Sequence, residues 1–295
     1  MMIIGYFGDG PWSHLSLTKI LSRTDVKVAF VCARFDNPDL ELKRLADING
    51  IPFFVSPDVN EASFVEKIIE VKCDLLISMS FNQIFKSEIL NVPRLGVINC
   101  HAGMLPFYRG RNVLNWALIN DESSFGITVH YVDEGIDTGD IIRQEDFPIT
   151  DEDDYASLLA KAYQGCAQVL NKSLSDIVEG SVSVTKQTDI HPLGFYCCVR
   201  KNGDEIVNWN QSSRSIFNFV RALSSPGPNA RSSCGSKELV IHKALFVPDA
   251  PVYVGIPGTI LARDERRIAV KTLDSFIYIV DWEVEGKLNV GDRLQ

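Results

Sequence analysis

The chain has 295 residues, 45% of them hydrophobic and 23% charged, the balance of a soluble globular protein with room for two domains. Its formal net charge of −9, with no Lys/Arg-rich stretch, weighs against a nucleic-acid partner, which needs a basic surface to neutralise phosphates. No apolar run is long enough to span a bilayer, the opening Met-Met-Ile-Ile lacks the charged start of a signal peptide, and seven cysteines without Cys-x-x-Cys spacing predict free thiols in a reducing cytoplasm and no zinc site.

Residues 2–8 read as a first strand, followed by the loop Gly8-Asp9-Gly10-Pro11-Trp12, with Ser13 as the N-cap of a helix running to about Leu21. The glycines do not spell Gly-x-Gly-x-x-Gly, so no dinucleotide is inferred. The helix start there reads equally as a phosphate-receiving N-terminus and as a tight turn. Strands at 26–33, 51–55 and 74–78 alternate with a helix from Asn37-Pro38 to Gly50 and another over 61–71, the pattern of βαβ units and a parallel sheet. Gly96-Val97-Ile98 reads as the end of a buried strand, 112–120 as a helix, 125–132 and 141–149 as strands, and 153–179 as a long helix closed by Gly180. Residues 181–211 are polar and irregular. A helix at 213–223 precedes the break Ser225-Pro226-Gly227-Pro228. Short β-patterned runs at 239–247, 258–262, 267–272 and 276–280 then predict a small barrel-like module. The expected domains are 1–190 and 200–295.

The chemistry gathers in 96–140. Asn99 and His101 are two apart on extended backbone and so leave the strand on one face, while Cys100 between them points to the other. The carboxyl end of a strand is where an open α/β sheet places its ligands. The strand at 125–132 runs into the acidic, Gly-punctuated loop Asp133-Glu134-Gly135-Ile136-Asp137-Thr138-Gly139. If the two strands are neighbours, that loop brings a carboxylate to His101. Singly, these are an everyday cap, a structural histidine and a turn. Together they supply an oxyanion donor, a titratable base and a carboxylate to orient it, a set suited to acyl transfer onto an amine. A serine hydrolase is excluded by the absence of a Gly-x-Ser-x-Gly elbow.

Asn99-Cys100-His101, Leu105-Pro106, Arg109-Gly110 and Asp137-Thr138-Gly139, in that order, resemble the signature of the N10-formyltetrahydrofolate-dependent formyltransferases. The run Tyr108-Arg109-Gly110-Arg111-Asn112-Val113-Leu114-Asn115-Trp116 is most similar to the nucleotide-sugar members. Gly103-Met104 departs from the Ser-Leu of many relatives. Pro257-Gly258-Thr259-Ile260-Leu261 and Gly291-Asp292-Arg293-Leu294 resemble, more weakly, the family's OB-like C-terminal domain. The resemblance implies an α/β, Rossmann-like catalytic domain with a mostly parallel sheet and a small β-rich OB-like domain after it. It implies N10-formyltetrahydrofolate as co-substrate, a nucleotide-linked amino sugar as acceptor, and a cytoplasmic homodimer with no nucleic-acid or membrane partner. Asn99, His101 and Asp137 would be catalytic. Phe81, Ile84, Asp133, Gly135 and Ile136 would line the folate pocket, and Gly10, Trp12, Arg109, Arg111 and Trp209 would meet the acceptor. Packing alone is a competing account of Phe81, Ile84 and Trp209, and a surface ion pair of Arg111. Methionyl-tRNA formyltransferase is the alternative activity, and a non-catalytic nucleotide-sugar or folate binding module the alternative class.

Overall fold

A computed structural model describes residues 1–295. In chain order the elements are β1 (Met2–Gly8), α1 (Gly10–Leu21), β2 (Val26–Ala33), α2 (Leu40–Ile48), β3 (Phe53–Val55), α3 (Ala62–Val71), β4 (Leu75–Met79), α4 (Ser87–Leu90), β5 (Val97–His101), β6 (Arg109–Gly110), α5 (Val113–Ile119), β7 (Ser124–Tyr131), β8 (Ile141–Pro148), α6 (Tyr155–Glu179), α7 (Gln187–Ile190) and β9 (Tyr196–Cys197). They continue with α8 (Ser213–Leu223), β10 (Ala230–Cys234), β11 (Lys237–Leu245), β12 (Ile260–Arg263), β13 (Ile268–Lys271) and β14 (Phe276–Val284). No helix is long and apolar enough to cross a membrane.

Packing divides the chain into two units. The first comprises Met1–Arg111, Phe125–Phe147 and Ala160–Cys197, and the second Asn112–Ser124, Pro148–Leu159 and Cys198–Gln295. A seven-stranded sheet of order β3-β2-β1-β4-β5-β7-β8 forms the first. The strands from β3 to β5 run parallel, and β7 joins β5 antiparallel. One face buries Phe7 and Phe30 against Phe64, Val65 and Ile68 of α3. On the other, Tyr6 donates to the Ser13 carbonyl of α1 at 3.0 Å, and Cys100 turns its thiol to the Cys166 carbonyl of α6 at 3.7 Å. Because β1 and β4 are neighbours although β2 and β3 lie between them in sequence, strand order reverses there. The crevice beyond their carboxyl ends is where such sheets bind ligands.

The first helix departs from expectation. It begins at Gly10, with Pro11 in its first turn and Asp9 at the cap position making no side-chain cap bond. Proline is pre-organised for the first turn, so Ser13 lies inside the helix, and its hydroxyl donates to Tyr6 Oη at 3.2 Å. In α2 the cap is Asp39, which accepts from the N–H groups of Glu41 and Leu42.

The second unit is built on an antiparallel sheet of order β10-β11-β14-β13-β12. Its core packs Ile216, Phe217, Val220 and Leu223 of α8 against strand residues such as Leu239, Ile241, Val270 and Ile277. The chain's last residues join the sheet's two edges. Ile260 N–H donates to the Asp292 carbonyl at 2.9 Å, and Ser233 and Gln295 exchange backbone bonds of 2.9 and 2.8 Å. This is the barrel-like closure expected from the strand spacing. Strand β10 was not expected, because Ala-Arg-Ser-Ser-Cys lacks apolar alternation. Residues far upstream complete the unit: Asn115 Nδ2 donates to the Ala222 carbonyl, and Arg221 Nη1 to the carbonyls of Thr150 at 2.6 Å and Asp153 at 3.1 Å.

Candidate active site

The antiparallel register of β5 and β7 sets Asn99 opposite His130 and His101 opposite Thr128. Alternation then puts all four on one face. Asp137 reaches this face from the turn after β7, its carboxylate 13% exposed and its Oδ2 3.6 Å from His101 Nδ1. The other oxygen, Oδ1, lies 3.5 Å from His130 Nε2, and Gly110 N–H donates to Oδ2 at 2.8 Å. The three residues expected to act together are thus brought together.

The hydrogen bonds define the tautomers. His101 Nε2 lies 2.7 Å from the Tyr108 carbonyl, which only accepts, so Nε2 carries a proton and Nδ1 faces Asp137. His130 Nδ1 donates to the Tyr131 carbonyl at 2.7 Å. Its Nε2 accepts from Asn99 Nδ2 at 3.3 Å, which leaves the second Asn99 N–H uncommitted. Burial pushes the Asp137 carboxyl up, but the positive charge that His101 and His130 carry when protonated, with the Gly110 N–H, outweighs burial and holds it well below the usual carboxylate range. Burial lowers His101 more than Asp137 and the Tyr108 carbonyl raise it, so the ring sits below its ordinary value. An ionised carboxylate therefore stands beside a neutral imidazole poised to take a proton at Nδ1.

Gly103 permits this arrangement. A Cβ there would collide with His101 Nε2 and the Tyr108 carbonyl. The loop is anchored from below, with Thr128 Oγ1 donating to the Gly103 carbonyl at 2.7 Å and Gln144 Nε2 to the Leu105 carbonyl at 2.9 Å.

The remaining expected residues divide. Ile84 and Ile136 stand exposed, at 60% and 52%, and Phe81 packs on Phe7 and stacks on Phe85. Asp133 Oδ1 accepts from Gly135 N–H at 3.0 Å and Thr138 Oγ1 at 2.6 Å, shaping the turn that carries Asp137. Arg111 is exposed and has no carboxylate partner. Trp12 and Tyr163 meet edge to face, with ring centroids 4.6 Å apart.

Three residues expected to meet the acceptor have polar groups engaged within the chain. Gly10 does not present its N–H to a ligand, because the Asp39 carboxylate takes it at 2.8 Å, and an anion at that helix start would meet a carboxylate already in place. Arg109 spends Nε and Nη2 on Gln187 Oε1, at 3.0 and 2.6 Å. Trp209 is 4% exposed within the core of the second unit, with its indole N–H donating to Ser232 Oγ at 2.9 Å. Sequence reading missed His130, Thr128 and Gln187. The alternation Thr128-x-His130, with its strand opposite Asn99-x-His101, was the one available signal.

Residues 7–173 match the formyl transferase family and residues 200–291 its C-terminal domain. The chain belongs to the formyl transferase family. It is a formyl-transferring enzyme. It is 31% identical over 306 residues to the methionyl-tRNA formyltransferase of Clostridium acetobutylicum, covering 100% of this chain and 96% of that one. Its fold is similar to that of WlaRD, a sugar 3N-formyl transferase crystallised in the presence of dTDP and 5-N-formyl-THF, with 23% identity, a TM-score of 0.72 and coverage of 98% and 99%. It is also similar to an N-formyltransferase from Helicobacter canadensis in complex with folinic acid and dTDP-3-aminofucose, with 22% identity, a TM-score of 0.68 and coverage of 96% and 100%. The formyl transferase fold thus spans the whole chain.

Proposed function

We propose that this formyl transferase carries the formyl group of N10-formyltetrahydrofolate to the primary amine of a nucleotide-linked amino sugar, a dTDP-linked amino-dideoxyhexose made for a surface polysaccharide. In this reading it works in the cytoplasm as a homodimer. The observation that carries the chemistry is the cluster in which Asp137 stands 3.6 Å from His101 Nδ1 and Asn99 keeps one amide N–H free. The surroundings fit the donor. Exposed Ile84 and Ile136 offer apolar surface to a flat ring system, and Val132, just before the Asp137 turn, packs on the same cluster as Phe81.

The donor supplies an electrophilic formyl carbon, and the chain's residues do the rest. The free Asn99 N–H meets the negative charge that grows on the formyl oxygen, a contribution of about 2.7–4 kcal/mol for a single donor of this kind. His130 prevents that amide from rotating away. His101 takes the amine's proton at Nδ1 as the new C–N bond forms, Asp137 stabilises the resulting imidazolium, and the proton passes to N10 as the C–N10 bond breaks and tetrahydrofolate leaves. Arg111, one residue beyond the Gly110 N–H that holds Asp137, offers an unpaired guanidinium to a diphosphate.

Net charge favours the sugar over a tRNA. Asp9, Asp36 and Asp39 at the carboxyl ends of β1 and β2 add to a chain of net −9, which repels a polyanion. The second reading, methionyl-tRNA formyltransferase, is favoured by the full-length 31% identity. Incubation of the enzyme and N10-formyltetrahydrofolate with dTDP- and UDP-linked 3-amino and 4-amino deoxyhexoses, or with methionyl-tRNA, distinguishes the two by mass spectrometry. Formylated tRNA, formed at a rate that collapses with salt and without any formylated sugar, would overturn the sugar reading.

A further inference from the structure

Gln187 lies in the polar segment after the long helix, where no motif marks it. In the folded chain it is 4% exposed, and both ends of its amide are fully engaged. Oε1 accepts from Arg109 Nε at 3.0 Å and Nη2 at 2.6 Å. Nε2 donates one hydrogen to the Asp137 carbonyl at 2.8 Å and the other to the Gly139 carbonyl at 2.8 Å. Its placement is set by the chain just before it, since Ile141 and Thr185 exchange backbone bonds of 2.8 and 2.9 Å.

These bonds close a circuit around the carboxylate. The Asp137 carbonyl is held by Gln187, Gln187 is held by Arg109, and Gly110, the residue after Arg109, donates its N–H to Asp137 Oδ2 at 2.8 Å. Asp137 needs such support. Its φ of 54° is left-handed, a conformation uncommon outside glycine and one that aspartate adopts more readily than most, so the bonds from Gln187 select it over the alternatives. Gln187 holds the carbonyl of the 137–138 peptide, whose rotation would relax this conformation, and the Gly139 carbonyl two residues on. Gly139 cannot provide bulk of its own there, because a Cβ would strike the Tyr131 carbonyl.

We propose that Gln187 is a positioning residue for formyl transfer: it holds the turn at Asp137 so that the carboxylate faces His101 Nδ1. The inference rests on the reading of His101 as proton acceptor and goes beyond it by assigning what aims the carboxylate. The titratable groups facing His101 are Asp137 and His130. Removing the clamp lets the carboxylate swing away from the ring, which weakens its support of the imidazolium.

The test is a histidine titration by NMR on the full chain, with the His101 signal identified by its loss in His101→Gln. Gln187→Met keeps the side-chain length and removes the amide. Its His101 midpoint is expected to move to lower pH, in the same direction as in Asp137→Asn. With dTDP-3-aminofucose as acceptor, kcat is expected to fall roughly tenfold to a hundredfold, the scale of a displaced catalytic group, with the KM for the folate donor little changed. Adding Gln187→Met to Asp137→Asn should then move the midpoint no further, because Gln187 acts only through that carboxylate. Gln187→Asn, too short by a methylene to span from Arg109 to the turn, gives the same comparison if the methionine variant does not fold. An unmoved His101 midpoint in a folded Gln187 variant overturns the proposal whether or not the rate falls, since a merely stabilising glutamine would leave the ring's titration alone. An unmoved midpoint in Asp137→Asn overturns it as well. Absence of turnover with the amino sugar counts against the acceptor assignment, and the titration still decides the role of Gln187.

Discussion

His101 and Asp137 meet through one side of the imidazole only: Nδ1 stands 3.6 Å from Oδ2, while Nε2 is committed to the Tyr108 carbonyl at 2.7 Å. The backbone thereby decides which nitrogen receives a proton, and the carboxylate decides how well it is kept.

Loss of any member of the cluster should halt the reaction without unfolding the protein. Asn99→Ala, His101→Ala and Asp137→Ala are each expected to lower kcat by roughly a hundredfold or more, with unfolding midpoints near that of the unmodified chain. Turnover close to that of the unmodified enzyme in His101→Ala would remove it from the proposed chemistry.

The pH profile has a defined sign. Burial sets the His101 pKa below its ordinary value despite Asp137, and only the neutral ring accepts a proton. Thus kcat/KM should be full above the folded pKa and fall as pH drops through it. In Asp137→Asn the supporting charge is gone, and the acid limb should move lower still while the plateau drops. Stability carries the same linkage. The unfolded chain binds this proton at about pH 6.5 and the folded chain only at lower pH, so the histidine's contribution is lost as pH falls below that value. Profiles of both proteins on one acceptor, with chemistry made rate-limiting by a slow analogue, test this. A flat profile would leave His101 as an oxyanion donor alone.

Gly103→Ala places a methyl group where His101 Nε2 and the Tyr108 carbonyl now meet. The bond must open. A hydrogen bond of this kind contributes about 1 kcal/mol, and kcat should fall by roughly tenfold or somewhat less, with the acid limb moving down because the carbonyl also supports the protonated ring. A variant with unaltered rate and profile would mean that the Tyr108 carbonyl has no influence on His101 during turnover.

Trp209 should behave as a core residue. Trp209→Ala is expected to cost about 3–5 kcal/mol in chemical unfolding, whereas Trp209→Phe should leave the acceptor KM unchanged. A rise in acceptor KM in the phenylalanine variant, with stability retained, would restore a role in nucleotide binding.

Local pattern was enough for much of this protein. The alternation of apolar strands with amphipathic helices implied the parallel sheet, and β-patterned runs separated by turns implied the second module. The two-residue spacing of Asn99 and His101 put them on one face, and the same alternation turned Cys100 into the core, where it is 5% exposed. These features depend on residues within a few positions of one another, and backbone geometry relates such neighbours directly. What the fold alone decided involves partners far apart in sequence. His130 supports Asn99 across 31 residues, and Gln187 ties the Asp137 turn across 50. Helix α5 belongs with α8 through the Asn115–Ala222 bond, across 107. Strand register and packing create those pairings, and no window of sequence contains both partners. The same holds for Gly10, Arg109 and Trp209: their polar groups are engaged by Asp39, Gln187 and Ser232, side chains that reach them only once the chain is folded.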